Sequence, residues 1–296
     1  MATISAADVK ALREKTGAGM MECKNALVET GGDFSKAEKL LKEKGLAAIE
    51  KRSGRATNEG RIFIKIQDKG EAGSAAVLAE LVSETDFVAR NPEFIALGGA
   101  IADKVLEKGC DDSGLSPGGE TFSELNAMVT DLAAKIRENM SLKRVKVVKA
   151  AAGEYLAGYI HGDGAIGVVV KCGADKGEIF KNEDAKAFVF TLALHIAAFN
   201  PAALSRDKID ASWLKEQEEI FRKQMEQDES VKGKPANVLE NILKGKVSKF
   251  LKEICLLDQG YVKDEKLTVA QAVADTGKQL GANLSVLDYV YFKVGV

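Results

Sequence analysis

The sequence predicts an α+β fold: an N-terminal three-helix bundle, a core of two related α+β subdomains with small antiparallel sheets, and an inserted helical (coiled-coil) hairpin. Three observations lead there. The first 54 residues carry only helical periodicity. Two later segments each run strand, strand, helix and a later strand, and a long charged helical stretch interrupts the second. The expected units are 1–54, 55–151, 152–205 with 256–296, and the hairpin 206–255.

Each element has a local cause. In "SAAD" Ser5 caps a first helix, Val9 and Leu12 recur at helical spacing, and Gly17 stops it. "MMECKNALVE" forms a second helix closed by Gly31-Gly32, and "DFSKAEKLLKEKG" a third with Ala37, Leu40 and Leu41 on one face. Three short amphipathic helices bury their stripes against one another. "EKRSGRATNEGR" reads as a linker, after which "RIFIKI" and "AAVLAELV" alternate as strands around the turn "QDKGEAGS". Asn91 caps and Pro92 opens the next helix, which buries Phe94, Leu97, Ile101 and Val105 and ends at Gly109. "DDSGLSPGGE" is a polar surface loop, a helix spans about 121–138, and "LKRVKVVKA" is a third strand. The order repeats with "EYLAGYIH", "AIGVVVKC", the helix "DAKAFVFTLALHIAAF" and a final strand "LSVLDYVYFKV". The inserted hairpin sets Leu214, Phe221 and Met225 against Leu239, Ile242 and Leu243. Its arms are roughly 27–35 Å long. "TVAQ" then opens a helix with a capping box.

Composition excludes several classes. The 42 basic and 44 acidic side chains leave a net charge of -2, against a chain that binds nucleic acid by neutralising phosphates. No apolar run of about 18 residues could span a membrane, and "MATISAADVK" lacks a signal peptide's apolar core, so a cytoplasmic protein without membrane or direct nucleic-acid contact is expected. Cys23, Cys110, Cys172 and Cys255 form no CxxC pair, and Cys172 and Cys255 read as core side chains.

Chemistry-bearing motifs are few. "GDGAIG" fits the dinucleotide fingerprint, but Gly167 runs into Val168-Val169-Val170, a strand rather than the helix whose amides would meet a pyrophosphate. No GxxxxGK[ST] loop occurs. His195 sits mid-helix as a hydrogen-bonded core histidine, and His161 ends a strand as an exposed one. Glu80, Glu84 and Asp86 gather near one loop, but Glu80 alternates with Leu81 as expected of a solvated strand face. No metal or cofactor is expected. Phe87 occupies a strand-to-helix loop, either folded back as core or exposed as a wedge for another protein. Met20 and Met21 pose the same choice. Residue chemistry alone leaves both open.

"LREKTGAGMMECKNAL" and "ELVSETDFVAR" resemble the two signature segments of the bacterial elongation factor Ts family. "GYIHGDGAIGV", "HIAAFNP" and "GKPANVLENILKGKVSKF" support this, in family order over nearly the whole chain. The resemblance implies a guanine-nucleotide exchange factor for elongation factor Tu, binding it GDP-bound and nucleotide-free, with no bond chemistry of its own. It implies that Thr85, Asp86, Phe87 and Val88 displace Mg²⁺ from the partner, the phenylalanine entering an apolar pocket. It further implies that the N-terminal bundle docks on the partner's nucleotide-binding domain near Met20 and Met21. By the same resemblance Ile136 and Arg137 count among the partner contacts, the position of Arg137 lying near the partner's phosphate loop, and His161 matches a position that meets a more distant partner domain. Three departures stand out: Arg137 where the family commonly has glycine, a longer loop "GCDDSGLSPGGETFSELN", and an end at "YFKVGV" without the family's C-terminal helical module. The competing readings are an interaction scaffold with a ubiquitin-binding-like bundle, and an enzyme using the acidic cluster. The intact "TDFV" favours exchange, since a scaffold needs no wedge.

Lacking a phosphate-cradling loop, the isolated protein is expected to give no binding heat with GDP by titration calorimetry. A Kd of about 1 μM, equivalent to about -8 kcal/mol, would contradict the reading.

Overall fold

From Ala76 to Ser83, every residue of β2 (Ser74–Ser83) is buried, so neither face of this strand meets water. The computed structural model describes residues 4–68, 73–109, 115–116, 118–231 and 233–296. β2 is the centre of an antiparallel sheet with β1 (Glu59–Asp68) and β3 (Met140–Ala150). Because side chains alternate across a strand, Val77, Ala79 and Leu81 point one way and Ala76 and Leu78 the other. The first set packs beneath α5 (Pro92–Lys108) and α6 (Glu120–Ile136), with Phe94, Ile101, Leu125 and Val129. The second set packs against another sheet.

That other sheet is antiparallel too, in the order β4 (Glu154–His161), β5 (Ile166–Ala174), β8 (Leu284–Lys293). Val169 faces the first sheet with Leu156 and Phe292. Val168, Val170 and Cys172 face α7 (Glu183–Phe199) and α10 (Val269–Leu280). The result is four layers, helices on sheet on sheet on helices. A short ribbon of β6 (Gly260–Tyr261) and β7 (Asp264–Thr268) precedes α10. Gly167 lies inside β5, as its β-branched neighbours require, and a Cβ there would stand 2.3 Å from Ile62 of the facing sheet. Close approach of the two sheets, rather than a phosphate, explains this glycine.

Glu80 departs from expectation. Stacking of the sheets removes the solvent that its alternation with Leu81 was read to face, and its side chain is fully buried. A buried carboxylate needs compensation. Arg144, directly opposite it on β3, donates from Nε to Glu80 Oε2 at 2.6 Å, and the Gly295 amide donates to Oε1 at 3.1 Å. The same guanidinium lies 4.1 Å from the centre of the Phe292 ring.

At the N-terminus, α1 (Ala6–Thr16) starts with the reciprocal Ser5–Asp8 cap and ends at left-handed Gly17. It packs with α2 (Met20–Glu29) and α3 (Phe34–Glu50) around Leu12, Cys23, Leu27 and Ala37. α3 does not stop at Gly45 as expected. It continues to Glu50 because Gly45 lets it lie against Ala134 of α6, and Ile49 then reaches the core beneath the first sheet. The bundle is therefore not packed only on itself.

α8 (Ala211–Gln227) and α9 (Ala236–Ile254) pair as the expected hairpin through Phe221, Met225, Leu239, Ile242 and Leu243. Leu214 is half-buried, and toward that end the ring contact is Trp213 on Phe250, centroids 5.9 Å apart. Cys172 and Cys255 are buried as expected. So is His195, whose Nε2–H donates to Gln259 at 2.9 Å while Nδ1 accepts from the Val262 amide at 3.3 Å. Burial holds this imidazole below the ordinary histidine range. Residues 69–72 of the predicted turn 67–74, residues 111–114 and 117 of the predicted loop 111–120, and Cys110 lie outside the described residues. Leu115 is described and is core. No helix among the described residues is long and apolar enough to cross a membrane.

Adjacent glycines in α5 should respond oppositely to alanine. A Cβ on Gly98 would stand 2.2 Å from the Phe63 ring, whereas Gly99 has nothing within 4 Å. Urea unfolding should show Gly98→Ala losing about 1–3 kcal/mol by overpacking. Gly99→Ala should gain about 0.5–1 kcal/mol of helix preference. Equal effects would refute the packing.

Candidate functional site: a clamped helical turn carrying Phe87

β2 ends at Ser83, and the chain turns at once into α4 (Asp86–Ala89), a helix of one turn. Thr85 is its N-cap, with extended backbone and a hydroxyl that accepts from the Val88 amide at 3.4 Å. Val88 and Ala89 turn inward and join the core beneath the first sheet. A single helical turn has too few internal hydrogen bonds to hold itself, so its rigidity has to come from neighbours.

Those neighbours sit at the corner between α6 and β3. Glu138 accepts from the Thr85 amide at 3.1 Å and from the Thr85 hydroxyl at 2.9 Å. Next to it the Asn139 amide donates to Glu84 at 2.6 Å, and Asn139 Nδ2 donates to the Arg55 carbonyl at 2.8 Å. Glu84 also pairs with Arg55 at 3.2 Å. The Asn139 amide is the main reason the Glu84 carboxyl is held below the usual range. At the other end of α4, Arg61 Nε donates to the Ala89 carbonyl at 2.6 Å. With Val88 and Ala89 buried and Thr85 clamped, the turn presents Asp86 and Phe87 outward. Phe87 is 83% exposed, which decides against the folded-back reading. Asp86 pairs with Arg90 at 3.6 Å.

The acidic cluster is thereby dispersed. Glu80 faces the second sheet and Glu84 is engaged with Asn139 and Arg55. Among the described residues, no three His, Cys, Asp or Glu side chains gather to hold a metal ion.

The remaining predicted residues lie on either side of this turn. Ile136 ends α6 half-buried, and Arg137 closes it in the left-handed region at φ 70°. Few residues other than glycine take that conformation without cost. Arg137 reaches back to form an ion pair with Glu22 in the first turn of α2. Met20 and Met21 therefore start a helix that adjoins the end of α6, and they are 45% and 64% exposed. Val28, one heptad beyond Met21, is 60% exposed and was missed because a lone valine breaks no pattern. On the far side of α4, a cleft of about 240 Å³ separates Asp86 and Arg90 from the Gly162–Ala165 turn. His161, just before that turn, is exposed, and its Nδ1 lies 3.0 Å from the Tyr159 hydroxyl. One continuous path thus runs from α2 through the end of α6 and α4 to the turn at His161. Glu138, Asn139 and Arg61, which hold this path together, carry no sequence signal, since a polar residue in a loop is unremarkable until its partner is located.

Comparison with known proteins bears on this geometry. A family model described as elongation factor TS matches residues 84–296. A protein of Treponema denticola named elongation factor Ts is 48% identical over 293 residues, covering 99% of each chain. Proteins of the same name from Treponema pallidum and Borrelia recurrentis are 45% and 40% identical, again over 99% of this chain and 99% and 100% of theirs.

If Phe87 is displayed rather than packed, Phe87→Ala should leave folding stability within about 1 kcal/mol of wild type in chemical denaturation. Phe94→Ala, in the core a few residues on, should cost about 3–5 kcal/mol. Comparable losses for the two would return Phe87 to the core.

Proposed function

The chain belongs to the elongation factor Ts family, and from that premise we propose that it promotes exchange of GDP for GTP on elongation factor Tu. It is a translation elongation factor by family. The finer reading rests on one observation, an apolar side chain 83% exposed on a helical turn that the rest of the fold holds rigid. A large exposed phenylalanine on a fixed support suits a pocket in another protein.

In this reading Phe87 enters an apolar pocket of the partner's nucleotide-binding domain, and Asp86 beside it takes part in displacing the partner's Mg²⁺. Met20 and Met21 dock the bundle on the same domain, Ile136 and Arg137 lie near its phosphate loop, and His161 meets a more distant domain. The chain makes and breaks no covalent bond, binds the partner with GDP or without nucleotide, and works in the cytoplasm without nucleic acid. The units 1–54, 55–151, 152–205 with 256–296, and the hairpin 206–255, which we take to be a coiled coil, divide these contacts.

Linkage limits what any one residue can do. A factor that weakens GDP binding is itself weakened by GDP to the same extent. Loosening by about a thousandfold needs about 4 kcal/mol of coupling, and burying one phenylalanine supplies about 1.5–3 kcal/mol. The wedge therefore works together with the other contacts. Because the factor lowers the barrier in both directions, the nucleotide ratio sets the product.

The test is stopped-flow release of labelled GDP from elongation factor Tu. Phe87→Ala and Asp86→Ala should each slow release at saturating factor by about tenfold or more, that is about 1.4 kcal/mol of barrier. Their combination should be non-additive if both act on the one ion. Chelating Mg²⁺ should bring wild-type and variant rates together, since the step they promote has then already occurred. Wild-type rates in Phe87→Ala, or a gap that survives chelation, would sink the wedge reading.

A further inference from the structure

We propose that Glu138 is a positioning residue for exchange, holding the Phe87 turn in its working geometry without touching the partner itself. The inference rests on the exchange reading above and adds the element that reading lacks, a reason why the wedge stands still.

Both Glu138 oxygens are committed to one residue. The Thr85 backbone N–H goes to Oε2 at 3.1 Å, and the hydroxyl proton goes to Oε1 at 2.9 Å. Because that hydroxyl gives its proton to a carboxylate, its lone pairs are free for the Val88 amide at 3.4 Å. Glu138 thus sets which way the Thr85 oxygen faces, and so whether the turn is capped. Charge assistance makes such bonds stronger and shorter than neutral ones, and a donor chain of this kind is mutually strengthening. The span is 53 residues in sequence, so the clamp ties α4 to the α6–β3 corner and not to its own loop. Arg137, one residue earlier, pairs with Glu22 at the start of α2. One short corner therefore holds the two exposed apolar groups, Phe87 and the Met20–Met21 pair, each through a charged side chain. Asn139, the third residue of the corner, fixes Glu84 at the foot of the turn. Remove the Glu138 charge and Val88 and Ala89 still anchor the turn by burial, but its first residue loses its fixed orientation.

The test compares Glu138→Gln with Phe87→Ala in GDP release from elongation factor Tu. The amide is isosteric with the carboxylate but carries one acceptor oxygen in place of two. Maximal release at saturating factor should fall about tenfold, as expected for a lost charge-assisted hydrogen bond. The half-saturating concentration should move less than about threefold, because the binding surface is intact. In the free protein, amide hydrogen exchange at Val88 and Ala89, which donate to the Thr85 hydroxyl and carbonyl, should quicken about tenfold while β5 amides keep their wild-type protection. Should Glu138→Gln fail to fold, Glu138→Asp keeps the charge but sets it one methylene short of Thr85, and should give the same kinetic split. Wild-type maximal release in the clamp variants, alongside slowed release in Phe87→Ala, overturns the positioning role alone. Wild-type release in Phe87→Ala removes the exchange reading beneath it. Loss of protection spread through β5 would make Glu138 a general stability residue and also overturn the proposal.

Discussion

A three-stranded sheet has two faces, and here both must be covered, which is the constraint from which the rest of the molecule follows. Each sheet presents one face to helices and the other to its counterpart, so residues of both parities along the central strands are apolar. The sheets approach closely enough that glycine is needed at 167, where Ile62 fills the space. Only one charged side chain, Glu80, is wholly buried among the described residues, and it is matched by Arg144 on the neighbouring strand. The Arg144 guanidinium is itself partly exposed, so the pair contributes little net stability, yet removing Arg144 would leave a buried carboxylate uncompensated, which is costly. The pair spans β2 and β3 at the point where their register shifts, and Glu80 also accepts from the Gly295 amide just beyond β8.

That register matters because only two residues, Glu84 and Thr85, separate the end of β2 from the start of α4. With Ser83 fixed by the sheet and Thr85 by Glu138, the direction in which Phe87 leaves the surface is set by the framework and not by the loop. Exposing a phenylalanine forgoes burial worth about 1.5–3 kcal/mol. The fold tolerates this because the two residues that follow, Val88 and Ala89, are buried in its place. Strain is present nearby as well, in the left-handed backbone of Arg137. Such conformations persist where surrounding contacts over-determine them, and Arg137 is held between Ala133 on one side and Glu22 on the other.

The attachment of the N-terminal helices is of a different character. Its ion pairs, Arg137–Glu22 and Lys42–Asp131, are solvent-exposed and each contributes about 0–1 kcal/mol. Packing of Gly45 on Ala134 and of Ile49 into the core beneath the first sheet carries the rest. This makes a small interface beside a large core, suited to a unit that keeps its place while presenting Met20 and Met21 outward.

Much of the architecture was legible in the sequence because it is written in local terms. Caps at Ser5, Asn91 and Thr268, the strand-to-strand turn at Gly162–Gly164, and the apolar stripe of α5 each depend on residues within a turn or two of one another. The position of Phe87 in a strand-to-helix turn was legible for the same reason. Whether it faced inward or outward was not, because that depends on Glu138, 51 residues away, and on a core that claims Val88 instead. Gly45 looked like a helix end and Glu80 like a solvated position, since nothing in the chain near either residue announces Ala134 or the second sheet. Periodicity says which residues share a face. Only the tertiary structure decides whether that face meets water, another sheet, or a partner, because burial is a property of what packs against a segment and not of the segment.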